Sequence, residues 1–185
     1  MSEETRQRKP HGGIPKAEFV ENVEDFLKKE HHPNAEHALR ELGEMLSKYN
    51  FMDTSLQQRK AKVTSQIPEF KNALDLLKML KAKKEAAEDI NTTFLLSDDL
   101  FAKARIPPTE KVCLWLGANV MLEYDLQEAE QLLSKNLSSS ETILKEVVSD
   151  MEFLRDQITT TEVNMARVHN WNVKKVQTAK SGAEN

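Results

Sequence analysis

From Leu39 the chain places apolar residues at alternating steps of three and four. The series runs Leu39, Leu42, Leu46, Tyr49, Asp53, Leu56, Lys60, Val63, Ile67, Phe70, Leu74 and Leu77, and ten of these 12 positions are apolar. A sustained 3.5-residue period is a heptad seam, which predicts a long helix packed lengthwise on another. Asp53 and Lys60 are polar members of the seam, which cost stability and fix register. Pro68 lies inside the run, where it removes a hydrogen bond and crowds the preceding turn at about 3 kcal/mol. The apolar phase passes unbroken through Ile67 and Phe70, which predicts a kink there and not an end. A second run begins at Leu126, after Asp125 as N-cap and with Glu128 at the capping-box position. It continues through Glu130, Leu133, Leu137, Ser140, Leu144, Val147, Met151, Leu154, Ile158, Thr161, Met165 and Val168, with ten of 13 positions apolar.

Between the two runs the period falls to two. TFLLSDDLFAKARI reads as one hairpin turning at Ser-Asp-Asp. Ile-Pro-Pro-Thr at 106–109 is a linker. In KVCLWLGANVMLEYD, Val112, Leu114 and Leu116 alternate outward and Val120, Leu122 and Tyr124 alternate back. Gly117 and Asn119 between them tolerate the positive φ of a tight turn. Before the first run, Phe19, Val20, Val23, Phe26 and Leu27 suit a short amphipathic helix, and Pro33 breaks it with Asn34 as the next N-cap.

These readings divide the chain at stated boundaries. Residues 1–33 are an N-terminal extension, disordered at its start. Residues 34–92 form the first coiled-coil helix, 93–124 the two β-hairpins, 125–178 the second coiled-coil helix and 179–185 a disordered tail. The helical runs are of near-equal length, so the second is expected to return antiparallel along the first. The fold class is mainly α: a long antiparallel two-helix coiled coil joined by two β-hairpins.

The hairpins carry apolar residues on both faces, with Leu114 and Leu116 expected on one and Cys113 and Trp115 on the other. Burying Val112, Leu114, Trp115, Leu116, Val120 and Leu122 is worth roughly 2 kcal/mol each. A two-helix arm has no broad core at its end to supply that burial, and a lone hairpin is marginal in water. Open strand edges also invite uncontrolled pairing. These six residues are therefore expected at a subunit interface that closes a sheet or barrel with partner strands. The competing arrangement has the hairpins merely cover the end of their own coiled coil.

Composition narrows the function. Charged residues are 30% and aromatic residues 6% of the chain, as in long helices that bury a narrow stripe. A formal charge of −4 gives no electrostatic footprint for nucleic acid. No apolar run is long enough to span a membrane and the polar N-terminus has no signal pattern, so a soluble intracellular protein is expected. Neither a GxGxxG nor a GxxxxGK motif occurs, which argues against a nucleotide cofactor. His31, His32 and His37 flank a proline break without a nearby cysteine and read as a solvated cluster, so no metal is assigned. Cys113 reads as a small buried hydrophobe. No catalytic constellation emerges, and an enzyme is not expected.

Four segments then resemble a known family. They are GIPKAEFVENVEDF (13–26), QIPEFK (66–71), KVCLWLGANVMLEYDLQEA (111–129) and EFLRDQITTTEVNMARVHNW (152–171), with Met151-Glu152 where the family pattern has Leu-Asp. Their order, helix, hairpin, hairpin, helix, is similar to the α-class subunits of prefoldin. The resemblance implies a hetero-hexamer with another α-class and four β-class subunits, whose hairpins build a shared β-barrel. It further implies ATP-independent capture of unfolded proteins, notably actin and tubulin, at the coiled-coil tips, and their delivery to the cytosolic chaperonin. The implied compartment is the cytoplasm, with the nucleus as a second site. An apolar surface at the tip, with Ile14, Phe19, Val20, Val23, Phe26 and the adaptable Met165, is the expected client contact. Those side chains would otherwise cap the coiled coil's own seam.

Overall fold

A computed structural model describes residues 10–29 and 32–181. The expectations for residues 1–9, for 30 and 31, and for 182–185 lie outside the described residues. A 3-10 turn (Pro10–Gly13) leads through an extended segment to α1 (Val23–Lys29) and α2 (Ala35–Glu85). Four strands follow: β1 (Ile90–Ser97), β2 (Leu100–Ile106), β3 (Lys111–Gly117) and β4 (Val120–Asp125). The chain then enters α3 (Leu126–Ser181). Among the described residues, no helix is long and apolar enough to cross a membrane.

The two heptad runs are the two long helices. Asn34 caps α2 as expected, its Oδ1 accepting from the His37 N–H at 2.8 Å. The helix continues through Pro68 to Glu85, short of the expected end at residue 92. Its stop is a Schellman motif. Ala87 takes the left-handed conformation (φ 52°), its N–H donates to the Lys84 carbonyl at 3.1 Å, and the Glu88 N–H donates to Lys83 at 3.0 Å. At its other end α3 extends to Ser181, so residues 179–181 are helical and not part of a tail. The amphipathic helix of the extension begins only at Val23, because Asn22 Oδ1 accepts from the Glu24 N–H at 2.9 Å and opens it there.

The chain forms two compact units, one of residues 1–61 with 145–185 and the other of residues 62–144. In the second unit the helices run antiparallel. Lys71 pairs with Glu141 at 3.6 Å and Lys81 with Glu130, so partners later on one helix come earlier on the other. Leu74, Leu77, Leu126, Ala129 and Leu133 form the core between them, with Phe70, Leu80 and Leu137 against it. In the first unit Tyr49, Val147, Leu154, Thr161 and Val168 are fully buried, and all five are seam positions. The polar seam residues Asp53 and Lys60 line a cavity of about 430 Å³ with Gln57, Met151, Arg155 and Ile158.

Each hairpin is its own two-stranded antiparallel sheet. In β1–β2, Ile90 faces Ile106, Phe94 faces Ala102 and Leu95 faces Phe101. In β3–β4, Val112 faces Tyr124, Leu114 faces Leu122 and Trp115 faces Met121. The β3–β4 turn holds Ala118 (φ 48°) and Asn119 (φ 62°) left-handed, as a type I′ hairpin turn requires. A register shift lies before each turn, between Leu95 and Ser97 and between Trp115 and Gly117. Leu116 therefore leaves the ladder and has no cross-strand partner, which the simple alternation does not anticipate.

Candidate functional site: the apolar hairpin faces

Pairing determines which hairpin residues share a face, and burial shows which face is satisfied. Val112, Leu114 and Tyr124 pack against the helical core of Leu74, Leu77 and Leu126. This face covers the end of the chain's own coiled coil, so Val112 and Leu114 find their burial within the subunit. The remaining apolar residues do not. Trp115 is 61% exposed, and Leu116, Val120, Met121 and Leu122 are exposed with it. Of the six expected interface residues, Trp115, Leu116, Val120 and Leu122 are thus left unsatisfied by intramolecular packing.

The first hairpin adds residues that alternation alone did not single out. Phe94, Leu95, Leu96, Leu100 and Phe101 are all exposed, Leu96 at 66% and Phe101 at 63%. Their signal was the short apolar runs FLL and LF flanking Ser-Asp-Asp, too short for a period to assign a face. Cys113 is also exposed, not buried as expected, because pairing with Glu123 puts it on the face of Trp115 and Met121. So many exposed large apolar side chains on short hairpins are the kind of surface that interaction sites use. Polar contacts pin the strand bases: Arg105 pairs with Asp89, Lys84 with Glu110 at 3.2 Å, and Lys111 with Glu123 at 3.2 Å. The Leu126 N–H at the start of α3 donates to the Glu110 carbonyl at 3.2 Å, tying strand entry to helix start.

The first unit holds the other six candidates. The extended segment lies along α3, held by side chains that read its backbone. Asn164 accepts from the Val20 N–H at 2.9 Å and donates to the Glu18 carbonyl at 2.7 Å. Gln157 accepts from the Ala17 N–H at 2.9 Å, Arg167 donates to the Glu21 carbonyl at 2.7 Å, and Tyr49 donates to the Pro15 carbonyl at 2.9 Å. Gln157 and Asn164 are buried and one heptad apart, a polar stripe beside the apolar seam that marks the docking track. Along it, Val20 and Val23 enter a core with Ala35, Ala38 and Val168, against which Phe26, Leu27 and Trp171 pack. Val20 and Val23 thus cap their own seam. Ile14 and Met165 are half-buried, and Met165 Cε lies 4.0 Å from the place a Cβ on Gly43 would occupy. Phe19 alone of the six is mostly exposed, at 53%, with the Arg167 guanidinium 5.1 Å from its ring centre.

The comparisons with known proteins agree with this architecture. The family described as Prefoldin subunit matches residues 49–171. Prefoldin subunit 3 of Mus musculus is 53% identical over 168 residues, covering 91% of this chain and 86% of the mouse protein. Prefoldin subunit 3 of Homo sapiens is 53% identical over 168 residues, covering 91% and 85% of the two chains. Prefoldin subunit 3 of Drosophila melanogaster is 49% identical over 172 residues, covering 93% and 87%. Family match, identity along nearly the whole chain, and two hairpins set between long helices lead to one conclusion: the chain belongs to the prefoldin family.

Proposed function

We propose that this chain works as an assembly-locked arm of a hetero-hexameric, ATP-independent co-chaperone. Membership of the family makes it a subunit of a hetero-oligomeric prefoldin assembly. Beyond that, its hairpins close a shared β-barrel with another α-class and four β-class subunits. The assembled arms capture unfolded proteins, notably actin and tubulin, at the coiled-coil tips and deliver them to the cytosolic chaperonin, in the cytoplasm and also the nucleus.

The observation that carries this reading is the exposed apolar surface of both hairpins, from Phe94 through Phe101 and from Trp115 through Leu122. At roughly 25 cal/mol per Å² of apolar area removed from water, strand pairing across such faces is strongly favourable. It also removes the open edges that make isolated hairpins prone to uncontrolled pairing.

Two measurements test the proposal. Trp115→Asp places a charge in the interface and is expected to abolish assembly while leaving far-UV helicity intact. An unchanged sedimentation coefficient of the variant would refute the interface. Separately, the purified complex should bind denatured actin without ATP and yield it to chaperonin. Binding of native partners alone would instead identify a coiled-coil tether.

A further inference from the structure

The connection between α1 and α2 brings two imidazoles and a carboxylate together. His32 in that connection has only 3% of its side chain exposed, while His37 and Glu41 stand one turn apart near the start of α2. His32 Nδ1 lies 3.4 Å from one Glu41 oxygen and His37 Nδ1 lies 3.5 Å from the other. One donor atom from each of the three residues falls within 4.8 Å of the others. These separations exceed an N–H···O hydrogen bond, about 2.7–3.2 Å. Donors set about 2.1 Å from a tetrahedral zinc stand roughly 3.4 Å apart, inside the 4.8 Å that encloses this donor set.

We propose that His32, His37 and Glu41 form a binding site for a divalent transition-metal ion, zinc being the best fit. Two imidazoles and one carboxylate are a borderline donor set suited to zinc, and three protein ligands leave the fourth position to water. The site is built in advance. The His32 N–H donates to the Leu27 carbonyl at 3.0 Å, and the Phe26 ring lies 5.1 Å from its imidazole, centre to centre. His37 is held through its own N–H by the Asn34 cap at 2.8 Å. The exposed sides of His37 and Glu41 give the ion a route in. Sequence alone joined His37 to its histidine neighbours. The helical i,i+4 step adds Glu41, and burial fixes His32. A bound ion would fasten the α1–α2 connection onto α2 beside the Val23, Ala35 and Ala38 core.

The test titrates cobalt(II), a spectroscopic substitute for zinc, into the full chain within its complex, and compares it with the His37→Ala/Glu41→Gln double variant. Both substituted residues are exposed, so folding is retained, which circular dichroism verifies. The wild-type complex should show the intense visible absorption of tetrahedral cobalt, displaced by added zinc, and zinc should raise its melting temperature. The double variant should bind cobalt at least roughly 10- to 100-fold more weakly and show no melting shift. Equal cobalt affinity in the two complexes, or no tetrahedral absorption from the wild type, would overturn the assignment.

Discussion

Single residues show where periodicity informs and where it stops. Tyr49 was legible as a seam position, and it is fully buried. That its hydroxyl donates to the Pro15 carbonyl, 34 residues away, was not legible, because no local rule links an extended segment to a distant helix. Burial raises the Tyr49 pKa above its ordinary value of 10.0, since the neutral phenol is the form that fits. The raised value means the group's contribution is complete below the unfolded pKa and is lost as pH climbs through the folded one. Tyr49→Phe should therefore lower stability at neutral pH by about 1 kcal/mol through the lost hydrogen bond, and flatten the alkaline decline. Denaturant unfolding of both proteins from pH 7 to 11 would show this. Parallel declines would remove Tyr49 as the cause. Gln157 and Asn164 belong to the same lesson: their heptad spacing is visible in the chain, but their partner is the backbone of a segment more than 100 residues away.

At the scale of elements, both helices and both hairpins were legible from the change of period, whereas their limits were not. The first helix stops at Glu85 because the chain uses a Schellman turn with alanine at the left-handed position, where glycine would have signalled the end. An L-residue in that conformation costs about 1–2 kcal/mol, part of which glycine returns as backbone entropy in the unfolded chain. Ala87→Gly should thus stabilise the subunit by about 0.5–1 kcal/mol. A rise of the thermal midpoint with unchanged helicity is the expected result, and a fall would mean that the strain lies elsewhere. Bulges obey the same logic. Leu116 is an ordinary strand residue by composition, and only the turn geometry that follows it decides that it leaves the ladder. Cys113 lies on the face of Trp115 as alternation had it, and it is exposed because that face is not covered within the subunit.

For the whole molecule, the structure changes what an N-terminal truncation means. Ile14, Phe19, Val20, Val23 and Phe26 were expected as part of an apolar surface for clients. Instead, Val20 and Val23 complete the core of the first unit, and Gln157 and Asn164 spend their hydrogen bonds on the backbone there. Removing residues 1–29 would expose Ala35, Ala38 and Val168 and leave those amides to water. The strands of the other unit run from Ile90 to Asp125 and are held by their own cross-strand pairing. The truncated chain should therefore still assemble, at a mass lower only by the deleted residues, while unfolded-actin capture weakens. Weaker capture alone would not separate a lost contact surface from a loosened core. Phe19→Ser makes that separation, because Phe19 is mostly exposed and stands outside the buried core of Val20, Val23, Ala35, Ala38 and Val168. If Phe19 touches clients, the substitution should weaken capture while the melting temperature stays at the wild-type value. Capture equal to wild type would remove Phe19 from the contact surface and leave the segment a structural role, docked along α3 through Gln157 and Asn164.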